Sequence, residues 1–380
     1  MTGRGYGTSV RFRSLIALAL LGLLCNSCVY ARIFYFNFPA LSATSYFDNR
    51  PVKASSAPVR IPVAKAEAAF ELTDGERAKY RTFDVLLEAN DTHAFLAIKD
   101  DALVYERYFH GTVATTQLPS FSISKSFAAL LIGCAVDDGL IRSIDESLVT
   151  YLPQLAEKPY YREIRLDHLL RMISGIDFYE ESTAGASLYY TTDMHARIFE
   201  YEVKWPPGEH YLYGSINIQL LWAVLHRRLK GKTVAEYFQE RVWDPLGAVD
   251  PAAWALDSES SGIEKFFGGF SATARDHARL GLLFLHGGTL NGRRVVSEDW
   301  IARSLSPDPV AGVVHTSDGT VKHAKYQWFL TPDERCFFAK GYHGQYIFVV
   351  PDRHVVFVRF AEGYGDIDWP ALFVRLADRM

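Results

Sequence analysis

The segment Pro119–Leu140, "PSFSISKSFAALLIGCAVDDGL", indicates both the fold and the chemistry of this chain. The long apolar run after Lys125 predicts a buried helix, and Gly139 close to its end is a common helix stop. Ser122 and Lys125 are three residues apart, so on a helix they share a face. A serine hydroxyl needs a base within hydrogen-bond reach before it becomes a nucleophile. The segment therefore predicts a core helix that begins with a nucleophile beside its own base.

A structural interpretation of the same segment stays open at this point. Ser122 and Ser124 would then cap a core helix, and Lys125 would be a solvated side chain. Roughly one Ser-x-x-Lys spacing is expected by chance in a chain of this length, so the pattern alone does not decide. If Ser122 begins the helix, the free amides and the positive dipole end favour negative charge on a substrate oxygen beside it.

The composition describes a globular protein of one large domain or two ordinary ones. Of the 380 residues 49% are hydrophobic and 22% are charged, which provides enough apolar surface for a core. The net charge is -4 and no basic stripe is present, which argues against a nucleic-acid partner. The 12 histidines are scattered, and no H-E-x-x-H, G-x-S-x-G or phosphate-binding glycine pattern occurs. We therefore expect no metal and no cofactor.

The N-terminus has the pattern of an export segment. Arg4, Arg11 and Arg13 precede the apolar run Ser14–Leu24, and no acidic residue occurs before residue 29. The run is shorter than the ~20 residues of a membrane-spanning helix, but Val29–Phe38 continues largely apolar. Residues 1–38 are therefore predicted to be an export signal or a retained membrane anchor. The protein is expected to be exported, in the periplasm or anchored to a membrane and facing the periplasm or exterior.

The remaining chain divides into a linker and one catalytic domain. Residues 39–65 are rich in Pro, Ser and Ala and predict a linker, so the domain is expected to span 66–380. Short apolar and aromatic runs after residue 92 and from Tyr326 onward predict strands. The stretch from about 146 to 310 is dominated by helical patterns. The sheet is therefore predicted to come from both ends of the chain, with an inserted helical lobe and a cleft between them.

Two later motifs carry further candidate residues. The turn Pro206–Gly208 places Tyr211 and Tyr213 before an apolar helix, where a phenol can point into a cleft, although an aromatic plug is an alternative. In "AKGYHGQYIFVV", Gly341 and Gly344 bracket two larger residues at the head of a strand. Glycine there permits close approach of a ligand, and a strand-edge amide can serve as an oxyanion donor. An ordinary glycine-rich turn is the alternative interpretation.

The order of these three motifs resembles that of the serine β-lactamase and penicillin-binding superfamily, whose signature includes S-x-x-K. The resemblance is stronger to its class C-related branch, which includes 6-aminohexanoate-dimer hydrolase and related esterases, and it extends from Phe83 to Leu376. The supporting stretches are "FLAIKDDALVYERYF", "SFSISKSF", "IRLDHLLRMISGIDF", "YLYGSINIQLL", "FSATARDHARLG" and "GYHGQYIFVVPDRHVVFVRF". The resemblance implies an α/β (α+β) fold in which helices flank an antiparallel sheet, with an inserted all-helical lobe.

The resemblance also implies residue roles. Ser122 would be the acylated nucleophile, Lys125 its proton partner, and Tyr213 a phenolate-like base that takes the hydroxyl proton and returns it to the leaving group. The amides of Ser122 and Gln345 would form the oxyanion hole if Tyr342-His343-Gly344 replaces the Lys-Thr-Gly of the family. No cofactor or metal is implied.

The chain departs from penicillin-recognising relatives at the substrate wall. Tyr342 stands where those relatives have a lysine that holds a substrate carboxylate, and Lys340 comes two residues too early. Loss of this charge-assisted contact predicts little β-lactamase activity. The expected substrate-binding residues are Ser215, Tyr342, His343, Gly344 and Asp177, with Tyr179 or Glu180 as further candidates.

The sequence therefore predicts an exported serine hydrolase that cleaves a small-molecule ester or amide through an acyl-enzyme. One alternative is a cell-wall D-amino-acid peptidase or esterase, which shares the mechanism and differs in the pocket. Another is a catalytically silent penicillin-binding-like scaffold or sensor. The presence of Ser122, Lys125 and Tyr213 together argues against the silent scaffold, because a binding module needs no such set.

Overall fold

The computed structural model describes residues 29–36, 39–316 and 319–380. Most of the predicted export segment therefore lies outside the described residues. Within the described ranges, we find no helix with the length and apolar character needed to cross a membrane.

The described chain alternates strands and helices as follows. The helices are α1 Val29–Phe36, α2 Asp74–Tyr80, α3 Phe83–Ala89, α4 Ile123–Asp137, α5 Leu148–Tyr151, α6 Leu166–Leu170, α7 Thr183–Tyr190, α8 Met194–Arg197, α9 Ser215–Arg228, α10 Val234–Phe238, α11 Ala274–Leu285, α12 Glu298–Leu305 and α13 Trp369–Ala377. The strands are β1 Asn49–Val52, β2 Thr92–Lys99, β3 Ala102–Tyr108, β4 Leu118–Pro119, β5 Ala252–Ala255, β6 Phe270–Ala272, β7 Thr289–Leu290, β8 Arg293–Arg294, β9 Val313–Thr316, β10 Gly319–His323, β11 Phe329–Leu330, β12 Phe337–Gly341, β13 Gln345–Val350 and β14 Val355–Ala361.

The main sheet has eight antiparallel strands in the order β3-β2-β14-β13-β12-β11-β10-β9. Strands from the N-terminal and C-terminal parts of the chain meet where β2 pairs with β14. The prediction of an antiparallel sheet flanked by helices and built from both ends of the chain is therefore confirmed.

Both faces of this sheet are buried, which explains the nearly continuous apolar strands. In β13, Ile347 and Val349 belong to the same apolar cluster as helix α4. Their neighbours Tyr346 and Phe348 belong to a second cluster, which contains Phe373 of α13. Successive side chains of a strand point to opposite faces, so a strand covered on both sides is apolar at every position. The sheet thus separates a core on the α4 side from a core on the α13 side.

The inserted region between the sheet-forming ends is mostly helical and also holds strands. Helices α5 to α12 fall within it, as do β5 and β6, which form a second sheet in the order β1-β5-β6-β4. Strand β4 leads directly into the segment before α4, so the nucleophile segment is joined to this small sheet. Strand β6 was not anticipated from the sequence, because its three residues are too few to show an alternating pattern.

Part of the predicted linker is incorporated into the fold. Strand β1 pairs with β5, with Pro51 opposite Ala253. The proline is compatible with this position because β1 is an edge strand. Farther on, the buried Arg279 donates to the carbonyl of Val59 at 2.6 Å. The packed part of the chain therefore begins well before residue 66, where the domain was expected to start.

Candidate active site

The candidate nucleophile lies on a strained turn at the start of α4. Phe121 has a φ of 46°, which places a bulky residue in the left-handed region. Ser122 is the N-cap residue of α4, and its hydroxyl caps no backbone amide of the helix. The serines on either side fasten the turn to β6, since Ser120 Oγ donates to the carbonyl oxygen of Phe270 at 2.8 Å and Ser124 Oγ accepts from its amide at 3.0 Å. The turn therefore holds Ser122 in place without using its hydroxyl.

The predicted base contacts this hydroxyl. Lys125 Nζ lies 2.8 Å from Ser122 Oγ, and the lysine is only 2% exposed. Its Nζ also lies 5.0 Å from the ring centroid of Tyr213 and 5.9 Å from that of Phe267. The three residues assigned to catalysis from the sequence are thus brought together, and Lys125 is a buried side chain rather than a solvated one.

Backbone hydrogen bonds from the preceding turn place Tyr213 beside the helix. Gly208 has a φ of 98°, and its amide donates to the carbonyl of Ile173 at 2.7 Å. The amide of Leu212 donates to the carbonyl of Met172 at 2.9 Å. These two hydrogen bonds hold the extended segment before α9 against the residues that follow α6. This position places Tyr213 beside Lys125.

A small cavity, with about 20 Å³ of free volume, opens at Ser122. Its wall includes Tyr211, Tyr213, His323, Gln327 and Trp328. Of these, only the two tyrosines were noted from the sequence, and Tyr211 was not given a role. His323 ends β10, Gln327 lies in the connection to β11, and neither carries a local motif, so no sequence signal indicated them.

Burial shifts the pKa values of two side chains in this wall, His323 and Tyr211. Burial lowers the pKa of His323 to about 4 and raises the pKa of Tyr211 well above its usual value. Both side chains are therefore neutral near pH 7. The hydroxyl of Tyr211 and Nδ1 of His323 are 3.3 Å apart, so the two residues form one hydrogen-bonded pair in the cavity wall.

The turn that follows β12 approaches the nucleophile segment closely. A Cβ added at Gly341 would lie 2.4 Å from the carbonyl oxygen of Ser120, so only glycine fits at this point. Gln345, the predicted second oxyanion donor, begins β13 and is fully buried. Its side chain donates to the carbonyls of Tyr342 and Ala361 at 3.0 and 2.6 Å, which fixes the shape of the turn. The oxyanion role of its amide stays a prediction.

The two large residues of this turn face different surroundings. Tyr342 is 43% exposed, and its ring centroid lies 6.1 Å from that of Phe121 beside the nucleophile. His343 has a φ of 63° and its Nε2 lies 2.6 Å from the carbonyl oxygen of Pro39. Gly344 has a φ of 80°, and a Cβ there would meet the guanidinium of Arg359 at 2.3 Å. The turn therefore borders the site and is in contact with the N-terminal segment.

Lys340 does not take the place of the family lysine. It borders the cavity, but its Nζ lies 5.3 Å from the ring centroid of Tyr364. In the β12-β13 pairing it stands opposite Tyr346, whose side chain belongs to the α13 side of the sheet. By this register the Lys340 side chain belongs to the α13 face of the sheet, opposite the face that packs on α4.

The other predicted substrate-binding residues lie outside the cavity wall. Ser215 is 1% exposed, and its hydroxyl donates to Oε1 of Glu180 at 2.5 Å. Asp177 is at the surface, where Lys204 Nζ lies 3.6 Å from its Oδ1 and 3.1 Å from the hydroxyl of Tyr179. These contacts describe a helix cap and an exposed ion pair, so the structure does not bring either residue to Ser122.

Metal ligation has no obvious place in the described part of the chain. Among those residues, no group of three or more His, Cys, Asp or Glu side chains could hold a metal ion.

Comparison with known proteins places the chain in a protein family. The family model described as Beta-lactamase matches residues 86–370. The chain is 28% identical over 331 residues to 6-aminohexanoate-dimer hydrolase of Paenarthrobacter ureafaciens, covering 82% of this chain and 81% of that protein. It is also 29% identical over 148 residues to lovastatin esterase of Penicillium rubens, covering 33% of this chain and 36% of the esterase.

A solved structure also has a similar fold. A Bacillus anthracis protein provisionally named a 6-aminohexanoate-dimer hydrolase superposes with a TM-score of 0.78 at 22% identity. The superposition covers 90% of this chain and 93% of that one. The fold expected from the sequence is thus found in a solved relative of nearly the same extent.

Proposed function

The chain belongs to the Beta-lactamase family of hydrolases, and we propose that it is an exported serine hydrolase that cleaves an ester or a short amide through an acyl-enzyme on Ser122. The observation that carries the proposal is the 2.8 Å contact between Lys125 Nζ and Ser122 Oγ at the mouth of a cavity. The uncapped hydroxyl of Ser122 supports it, because a serine kept only for structure would use that hydroxyl as a cap.

The first half of the reaction follows from this contact. Lys125 accepts the proton of Ser122 as Oγ attacks the carbonyl carbon of the substrate. The tetrahedral intermediate carries a negative oxygen, which the amides of Ser122 and Gln345 would stabilise. When the bond to the leaving group breaks, Tyr213 and Lys125 return the proton to the departing oxygen or nitrogen. The acyl group is then esterified to Ser122.

The second half reverses these roles with water as the nucleophile. The same base removes a proton from water, which attacks the acyl carbon, and the proton returns to Ser122 Oγ as the carboxylic acid leaves. Ester and amide substrates share both steps, and they differ in how strongly the leaving group must be protonated. The position of Tyr213 next to the Lys125 amine suits that protonation.

Covalent labelling tests the proposal directly. We expect a fluorophosphonate probe to add to Ser122, detected by mass spectrometry of the labelled peptide, and the addition to vanish in Ser122→Ala. Ser261→Ala, which removes an exposed hydroxyl far from α4, is the matched control and should label like the parent. A folded parent protein that stays unlabelled would support the silent scaffold instead.

A pair of substrates then separates esterase from β-lactamase activity. Short nitrophenyl esters should be hydrolysed, and a chromogenic cephalosporin should be turned over slowly. The reason is that Tyr342 supplies no cation for a substrate carboxylate and the Lys340 ammonium lies at the ring of Tyr364. Rapid cephalosporin turnover would contradict this assignment of Tyr342.

Export is proposed from the amino-acid pattern of residues 1–38. The arginines before the apolar run, the run itself and the absence of acidic residues support it. Cell fractionation of a host that expresses the full chain is the test. Activity that stays entirely in the cytosolic fraction would contradict export while leaving the hydrolase proposal intact.

A further inference from the structure

The wall of the cavity at Ser122 holds a hydrogen-bonding pair that the proposed reaction does not use. Tyr211 lies two residues before Tyr213 on the same extended segment, and His323 ends β10, which lies between β11 and the edge strand β9. Both line the cavity that opens at Ser122. The segment therefore presents one tyrosine to the catalytic lysine and the other to His323.

The imidazole of His323 is held in a fixed orientation. Its ring centroid lies 4.4 Å from that of Tyr211 and 4.8 Å from that of Phe329. The Tyr211 hydroxyl is 3.3 Å from His323 Nδ1. When the Tyr211 hydroxyl donates to Nδ1, the neutral ring carries its proton on Nε2, so this contact can set the tautomer of His323.

The backbone around His323 is fixed as well. Its amide donates to the carbonyl of Gly312 at 2.9 Å, and its carbonyl accepts from the amide of Asp308 at 2.8 Å. The carboxylate of Asp308 is held in turn by two nitrogens of Arg171 at 2.6 and 3.1 Å. A donor supported in this way loses little entropy when it binds a ligand.

The charges around the cavity favour an uncharged ligand group. The Arg171 guanidinium is bonded to Asp308 and to Asp167, and the Lys340 ammonium lies at the ring of Tyr364. The same wall holds the Tyr211–His323 pair, whose pKa shifts keep both side chains neutral near pH 7, and the neutral amide of Gln327. A neutral oxygen acceptor therefore suits the wall better than a carboxylate or an ammonium group.

We propose that His323, oriented by Tyr211, donates a hydrogen bond to an uncharged oxygen acceptor of the substrate, such as a ketone or amide carbonyl, that lies away from the scissile bond. The inference rests on the proposed hydrolase function and adds a subsite to it. It makes His323 a specificity-determining residue and Tyr211 its positioning residue. The preferred substrates are then esters or amides that carry a second, neutral carbonyl.

The test compares matched substrates in matched variants. The parent is assayed with p-nitrophenyl hexanoate and with its 4-oxo and 5-oxo derivatives, and the ratio of kcat/KM for oxo over plain ester is the readout. In His323→Phe, which keeps a ring and removes the donor, we expect the ratio for the preferred oxo ester to fall about three- to tenfold, through KM. Tyr211→Phe should lower it by less, and His323→Gln, which keeps a donor, should retain part of it.

Two controls separate this inference from the function on which it rests. Fluorophosphonate labelling of Ser122 and turnover of the plain hexanoate should persist in His323→Phe. His286→Phe replaces a histidine that pairs with Asp101 outside the cavity and should leave the ratio unchanged.

The inference is overturned if the parent does not prefer either oxo ester. It is also overturned if His323→Phe slows plain and oxo esters equally, because that pattern belongs to a structural role. Should His323→Phe not fold, the comparison of His323→Gln with Tyr211→Phe decides, and equal ratios in parent, His323→Gln and Tyr211→Phe overturn it. Failure of the labelling in the parent would instead refute the hydrolase proposal.

Discussion

A serine stands at the start of both α4 and α9, as the N-cap residue Ser122 and the first helical residue Ser215, and the two differ in what their hydroxyls contact. Ser122 caps no amide and its Oγ meets the amine of Lys125. Ser215 is buried, and both its hydroxyl and its amide donate to the carboxylate of Glu180, from 35 residues earlier in the chain. A carboxylate at a helix start is a stabilising contact, whereas an amine beside a free hydroxyl is a reactive one. The comparison teaches that the hydrogen-bond partner of the hydroxyl, rather than the serine itself, separates a catalytic serine from a structural one.

The largest expected effect is a loss of kcat when Ser122 or Lys125, the reactive pair of this comparison, is replaced. Ser122→Ala and Lys125→Ala should each lower kcat for a nitrophenyl ester by about 10³-fold or more, because the two groups act as one unit. For the same reason the double variant should lose little more than the worse single variant. Steady-state kinetics of the three variants provides the measurement. Losses that multiply would show that the two residues act independently.

Tyr213→Phe sharpens the same side of the comparison. Removal of the phenolic hydroxyl should cost about 10²–10⁴ in kcat, the usual contribution of a general acid or base. Tyr160→Phe is the matched control, since Tyr160 is 46% exposed and should leave the rate unchanged. A Tyr213→Phe enzyme at full rate would remove this residue from the mechanism and leave proton transfer to Lys125.

Ser215→Ala addresses the structural side. The substitution leaves the Glu180 carboxylate without a hydroxyl partner, which should lower the free energy of unfolding by about 1–3 kcal/mol. Urea denaturation gives this value, and kcat/KM for a nitrophenyl ester should change little. A large rise in KM without loss of stability would instead support the substrate-binding role that the sequence suggested for Ser215.

Asp177→Asn should have the smallest effect. The Asp177 carboxylate pairs with Lys204 at the surface, and such exposed pairs contribute about 0–1 kcal/mol. We expect unchanged KM and a thermal midpoint close to that of the parent. A substantial change in KM would place this loop in the substrate wall after all.

Local patterns accounted for the features that the sequence could predict. Ser122 and Lys125 are one helical turn apart, so their contact follows from the helix itself. Thr233 and Glu236, also three residues apart, form a capping box at the start of α10. Strand β14 was visible because all its residues except Arg359 are apolar, as in a strand covered on both faces.

Contacts between distant parts of the chain could not be predicted from the sequence. Tyr211 and His323 are 112 residues apart, and neither has a motif that points to the other. Glu180 could be named as a polar loop residue, but its bond to Ser215 depends on how the loop packs against α9. The same holds for Pro39 and His343, which are 304 residues apart. Such pairs are set by tertiary packing, for which one sequence without relatives carries no periodic signal.

The contact between Pro39 and His343 has a practical consequence for recombinant work. A shortened protein that starts at residue 66 would lack strand β1, the acceptor of His343 Nε2, and Phe36, whose ring stacks on Tyr190 with centroids 5.9 Å apart. The turn after β12 would then lose a support from the amino-terminal side of the chain. Purification tags and cleavage sites are therefore best placed before residue 29, so that the packed N-terminal segment stays attached to the catalytic body.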